Sequence, residues 1–219
     1  THAGPEISVV ATKTFAAQVA FLLKLAAELA RLNGTLNRAE SQRIISELEA
    51  LPPVIQRVIQ TSDRRMRALA ERIKETEHIY LIGRGIGYPT ALEGALKLKE
   101  ITYIHSEALP AGELKHGTLA LIEPGTTVIA LIPPGEARAR MIGNVEEVKA
   151  RGAWVMALTD KDTNIKNHAN IVIFLPKTNE LFSPLLYIVP LQLLAYHATV
   201  ARGQDPDRPR SLAKSVTVE

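Results

Sequence analysis

The chain has 219 residues, 46% hydrophobic and 22% charged, with no cysteine, and its formal charge is 26 − 23 = +3. That length allows one full domain with a sizeable appendage, or two small ones, and excludes a long modular array; the ordinary composition belongs to a globular chain able to bury roughly 70% of its unfolded surface. Zero Cys removes disulfides, thiolate metal sites and a Cys nucleophile and points to the cytoplasm, and basic residues scattered along the chain leave no footprint for nucleic acid.

The chain opens at Thr1 rather than Met and its first motif starts abruptly, so it reads as a piece of a longer protein. From Thr12 to Leu32 the apolar residues Phe15, Val19, Leu22, Leu23, Ala26, Leu29 and Ala30 recur at helical spacing, and Asn33-Gly34 supplies a stop. Arg38 to Leu51 predicts a second helix, Pro52-Pro53 a break, and Val54 to Lys74 one or two more helices. Residues 1–76 are therefore expected to be helical.

The period changes at His78. Ile79-Tyr80-Leu81-Ile82-Gly83 is a short apolar run ending in glycine, suited to a strand buried on both faces. A helix over about Pro89 to Tyr103 follows, then strands at Thr127 to Ile132, Ala153 to Leu158 and Ile171 to Leu175, with a helix at Arg138 to Arg151. The apolar stretch Leu185 to Ala201 carries Pro190, Gln192 and His197 and precedes a charged tail, so it predicts a buried core helix and no membrane span. The alternation predicts an α/β fold over 77–219, a three-layer sandwich with a central parallel sheet, preceded by the helical segment. Composition alone makes Arg202 to Glu219 a disordered tail.

Three motifs carry candidate chemistry. The turn Gly83-Arg84-Gly85-Ile86-Gly87-Tyr88 sits where an open α/β sheet puts its ligand, but G-x-G-x-x-G would need glycine at Tyr88, which argues against a dinucleotide. Glu93, Lys97 and Glu100 share one helix face; this is either a solvated salt-bridge stripe or a charged face bordering a cleft. In Ala111-Gly112-Glu113-Leu114-Lys115-His116-Gly117 a histidine lies among polar residues and glycines, either as a surface residue or as a group that gives and takes protons near neutral pH. Glu113-x-x-His116 and Glu75-x-x-His78 have a spacing used in di-iron bundles, but one straddles a helix end and a strand, and no metal is expected.

The runs Ala91-Leu92-Glu93-Gly94-Ala95-Leu96-Lys97-Leu98-Lys99-Glu100-Ile101, Gly112-Glu113-Leu114-Lys115-His116-Gly117, Pro190-Leu191-Gln192-Leu193-Leu194-Ala195-Tyr196-His197 and Leu212-Ala213-Lys214-Ser215-Val216-Thr217-Val218-Glu219 resemble the sugar-isomerase (SIS) domain of the glucosamine-6-phosphate synthase family, the glutamine:fructose-6-phosphate aminotransferases. The resemblance runs from Gly4-Pro5-Glu6-Ile7 to the C-terminus. It implies that residues 77–219 are the second of two SIS subdomains, that 1–76 lead in from a missing first subdomain, and that the family's glutaminase domain is also missing.

Carried over residue by residue, the resemblance makes Glu100 the base that moves a proton between C1 and C2 of the open-chain sugar and puts Lys97 in the same proton-transfer site. It makes His116 the ring-opening group, supplied across a homodimer, and Lys214 the Schiff-base lysine at C2. Val9 and Ala213 match positions whose backbone touches sugar, whereas Ala11 stands where the family usually has Ser, which removes one hydroxyl contact. The implied ligands are fructose 6-phosphate and glucosamine 6-phosphate, with no cofactor and no metal, and the implied pathway is hexosamine biosynthesis. A free lysine is almost wholly protonated at neutral pH, so the tail carrying Lys214 must dock and exclude water. Three alternatives remain at this point: a phosphosugar deglycase or isomerase, a non-catalytic SIS sensor of a sugar phosphate, and an inert dimerisation unit. The first needs no Schiff base, and the second needs neither a base nor an amine.

Overall fold

A computed structural model describes residues 1–8, 10–160 and 164–210. Three helices come first: α1 (Lys13–Leu32), α2 (Arg38–Glu49) and α3 (Leu51–Ile73). Asn37 caps α2 reciprocally with Glu40, each side chain taking the other's backbone N–H. The proline pair ends nothing inside a helix: Pro52 and Pro53 occupy the first turn of α3, where their missing N–H groups have no helical acceptor to lose.

The expected alternation follows, as β1 (His78–Gly83), α4 (Gly87–Thr102), β2 (His105–Pro110), β3 (Thr127–Ile132), α5 (Arg138–Lys149), β4 (Trp154–Thr159), β5 (Ile171–Phe174) and α6 (Ser183–Ala201). The five strands are all parallel, in the order β2-β1-β3-β4-β5. Alternate residues face opposite layers. Ile79, Leu81, Ile129, Leu131, Met156 and Leu158 pack with α3, α4 and α6, while Tyr80, Ile82, Val128, Ala130, Val155 and Ala157 pack with α5 and the 3-10 turns after β2. The three-layer sandwich is thus present, and the leading helices share its core through Val58, Met66, Leu69, Ala70 and Ile73.

Strand β2 is the element that periodicity does not announce. Its residues His-Ser-Glu-Ala-Leu-Pro are polar and proline-ended, yet they pair along the whole of β1. Helix α4 stops because Tyr103 turns left-handed at φ 61°, and the Thr102 hydroxyl, which donates to Leu98 O and accepts from Ile104 N, leads the chain directly into β2. At the other end of α4, a Cβ on Gly83 would stand 2.5 Å from the Gly87 carbonyl carbon, so only glycine lets β1 turn this tightly into the helix. Helix α6 is long and apolar enough to cross a membrane, but 78% of its most apolar window is buried inside the fold, as expected of a core helix.

Candidate functional site

The charged face of α4 is not a solvated stripe. Lys97 is 1% exposed, and its Nζ lies 3.1 Å from Glu93 Oε1 and 3.0 Å from Glu100 Oε2, with the carboxylates only 14% and 17% exposed. The i, i+4 and i, i+3 spacings put both acids within reach of one ammonium. A buried charge survives only when paired in this way, so the cluster is a cost unless something uses it.

Lys97 also lines a cavity of about 280 Å³, bounded by Val10 and Thr12 from the N-terminal segment, Gln192 and Tyr196 from α6, and Pro206 and Asp207 beyond α6. Two chain segments nearly 200 residues apart are fastened there. The Ser8 hydroxyl donates to Pro206 O at 2.9 Å, and Glu6 Oε1 accepts from Thr12 N at 3.2 Å, Thr14 N at 2.9 Å and Thr14 Oγ1 at 2.7 Å. Burial pushes the Glu6 carboxyl up, but these hydrogen bonds and the Lys13 charge outweigh it and leave it below its ordinary value. Farther along, Arg210 N donates to Tyr103 Oη at 2.7 Å and its guanidinium stacks 3.9 Å over that ring. The C-terminal segment is therefore anchored beside the end of α4 that carries Glu100.

Of the residues expected from sequence, Lys97 and Glu100 are brought together. Ala11 is half-buried and does not itself line the cavity, although its neighbours Val10 and Thr12 do. Val9, Ala213 and Lys214 lie outside the described residues. His116 is elsewhere: it ends the 3-10 turn Ala111–His116, with a side chain 75% exposed and 4.0 Å from Glu113. Glu100 sits near the start of β2 and His116 beyond its end, five strand residues or roughly 17 Å away. The two Glu-x-x-His pairs also lie at opposite ends of the sheet, and His78 Nδ1 meets His105 Nδ1 at 3.1 Å instead. Among the described residues no three His, Asp or Glu side chains converge as metal ligands.

Sequence reasoning missed Glu6, Ser8, Tyr103 and Pro206, whose roles depend on contacts across the whole chain. Gln192 was legible only as a polar break in an apolar helix; its Nε2 lies 3.5 Å from Thr12 O.

Comparison with known proteins agrees with this architecture. The SIS domain family matches residues 72–202, more than half of the chain. The glutamine–fructose-6-phosphate aminotransferase (isomerizing) of Thermococcus kodakarensis is 51% identical over 219 residues, and that of Escherichia coli K12 is 48% identical over 220; each match covers 100% of this chain. The chain spans 36% of the length of these relatives. Among solved structures, the C-terminal domain of glucosamine-fructose-6-phosphate aminotransferase from Francisella tularensis superposes with a TM-score of 0.87 at 35% identity, over 94% of this chain and 58% of that one. Glucosamine-6-phosphate deaminase from Thermotoga maritima shares the fold at a TM-score of 0.62 and 24% identity, over 95% of this chain and 58% of that one.

Proposed function

We propose that this chain, which belongs to the SIS domain family, is the C-terminal part of an enzyme that makes glucosamine 6-phosphate from fructose 6-phosphate and glutamine-derived ammonia, the entry to hexosamine synthesis. The observation that carries the reading is the buried Glu93–Lys97–Glu100 cluster at a cavity where the N-terminal segment meets Pro206 and Asp207 beyond α6. The activity of the aminotransferase relatives and their identity along the whole chain support it. Residues 1–76 then lead in from a first SIS subdomain and 77–219 form the second, in a cytoplasmic protein with a glutaminase domain elsewhere on the longer chain.

In this mechanism the Lys214 amine condenses with the C2 carbonyl of the open-chain ketose and releases water, and ammonia displaces the lysine to leave the C2 imine. Glu100 takes a proton from C1 as the C1–C2 double bond forms and the imine nitrogen is protonated. It then returns a proton to C2 while the C1 hydroxyl gives up its own, leaving an aldehyde at C1 and an amine on C2. Atoms and charge balance without an added oxidant or metal. A single carboxylate reaching two adjacent carbons is suited to this transfer. When Glu100 is protonated, Lys97 keeps Glu93 as its partner, so its charge is never left unpaired inside the fold.

Two placements fit the remaining roles. Arg210 is anchored at the end of α4, and the four residues to Lys214 span at most about 14 Å, enough for that amine to reach the cluster. His116 lies roughly 17 Å from Glu100 along β2 of the same chain, so it opens the sugar ring by reaching into the partner's site of a homodimer. The test is exchange of the C1 hydrogen of fructose 6-phosphate with deuterated water by the longer protein. Glu100→Gln should bind the sugar but lose exchange by at least about 100-fold, and retained exchange would remove Glu100 as the base.

A further inference from the structure

The sheet has a second crevice that the proposed chemistry does not use. In the order β2-β1-β3-β4-β5, the connections leaving β1 and β3 diverge, and the carboxyl ends of those two strands flank the switch point where open α/β sheets take ligands. Here that point holds a cavity of about 450 Å³, within the usual range for a small ligand. It is lined by Arg84 and Tyr88 after β1, Gly112 and Glu113 after β2, and Glu136 and Arg140 before and within α5. It shares no lining residue with the Lys97 cavity, and Tyr88 and Lys97 stand nine residues, about 14 Å, apart along α4.

The guanidinium of Arg84 is preset in this crevice. Its Nε donates to Asn144 Oδ1 at 2.7 Å; buried Asn144 donates to Glu147 Oε2 at 3.1 Å, and Lys115 Nζ closes the chain 2.9 Å from Glu147 Oε1. A Cβ on Gly112 would stand 3.0 Å from one terminal nitrogen of Arg84 and 3.3 Å from the other, so glycine leaves the fork room to lie against the turn. With Nε engaged, both terminal amino groups are without a hydrogen-bond partner among the described residues. A held guanidinium with its fork open matches the oxygens of a phosphate, and Arg140 adds a second cation on the rim. The carboxylates of Glu113 and Glu136 would repel a bare anion but accept hydrogen bonds from hydroxyl groups. We propose that this crevice is a second ligand site, for a phosphate ester bearing several hydroxyls, with Arg84 and Arg140 on the phosphate and Glu113 and Glu136 on the hydroxyls.

The site has a built-in route to regulation. Gly112 and Glu113 lie on the same 3-10 turn as His116, and the Arg84–Asn144–Glu147–Lys115 chain ends on the residue before it. An occupant therefore bears on the position of His116; this consequence rests on the role given to His116 above, whereas the binding site does not.

Calorimetric titration of the 219-residue chain with glucose 6-phosphate, glucose and inorganic phosphate separates the possibilities. The expected result is binding of glucose 6-phosphate at least tenfold tighter than of either part, weakened at least tenfold by Arg84→Gln and several-fold by Arg140→Gln on the exposed rim, but changed less than twofold by Glu100→Gln. Circular dichroism melts of both arginine variants guard against misfolding. Full binding of glucose 6-phosphate in both Arg84→Gln and Arg140→Gln would overturn the second site and leave the Lys97 cavity as the sugar site. Absence of binding by all three probes at 10 mM would overturn it as well.

Discussion

Replacing Lys97 with Met removes one ammonium from the interior and keeps an unbranched side chain of similar length. The loss leaves Glu93 and Glu100 on one helix face, 14% and 17% exposed, with the charge that lay 3.1 and 3.0 Å from them gone. Removing one partner from a buried ion pair costs about 3–5 kcal/mol. Both carboxylates keep a little water, so we take about 2–4 kcal/mol, and at about 2–4 °C per kcal/mol for a chain of this size the melting temperature should fall by roughly 6–12 °C around the middle of that range. The assay is thermal unfolding at pH 7.5, followed by circular dichroism. Because the damage is an uncompensated charge rather than a cavity, Lys97→Met combined with Glu93→Gln should recover about 1 kcal/mol or more relative to Lys97→Met alone. A fall of less than about 2 °C in the single variant, or no recovery in the double, would refute the view that this lysine neutralises two buried acids.

Gly94→Ala in α4 should destabilise despite a helix-propensity gain of about 1 kcal/mol, because the new Cβ would stand 2.4 Å from Leu191 Cδ1 of α6 and 3.2 Å from Leu81 Cδ2; a net loss of about 1–2 kcal/mol in urea unfolding is expected, with Leu191→Ala in the same chain relieving part of it. Burial pushes the Glu147 carboxyl up, but hydrogen bonds from Lys115 and Asn144 and the charges of Lys115 and Arg151 hold it below its ordinary value of 4.5. A lowered carboxyl stabilises the fold above that ordinary value and loses its contribution as pH falls through the folded one. The stability gap between wild type and Glu147→Gln should therefore be full at pH 6–7 and close as pH drops below 4.5; a gap that widens on acidification would contradict the assigned partners. In the longer protein, Lys214→Arg should abolish amine transfer while sparing some isomerisation, measured as glucosamine 6-phosphate against glucose 6-phosphate formed.

The parts of this fold that were legible are those whose residues respond to a local period. Strands β1, β3 and β4 are runs buried on both faces, β5 is a short apolar run, and Thr127–Ile132 was readable to the residue because every one of its side chains is buried. Strand β2 was not readable: it is an edge strand with a half-exposed face and a terminal proline, held by pairing with β1 rather than by its own pattern. Spacing placed Glu93, Lys97 and Glu100 on one face but could not say whether that face was wet, since this depends on α6 and on segments at both ends of the chain. The same limit hid the Arg84–Asn144–Glu147 chain, whose first two members are 60 residues apart. Motif resemblance supplied the roles proposed for Lys214 and His116, which neither periodicity nor the contacts within one chain could assign.

The most direct test of the central claim is borohydride trapping with fructose 6-phosphate, applied to the longer protein and to this chain, followed by peptide mass mapping. The account predicts a reduced sugar adduct on Lys214 in the longer protein, with the 219-residue chain labelled only if it binds the sugar without the preceding subdomain. An unlabelled Lys214 in an active longer protein would contradict the Schiff-base mechanism and return the chain to the plain isomerase or sensor readings.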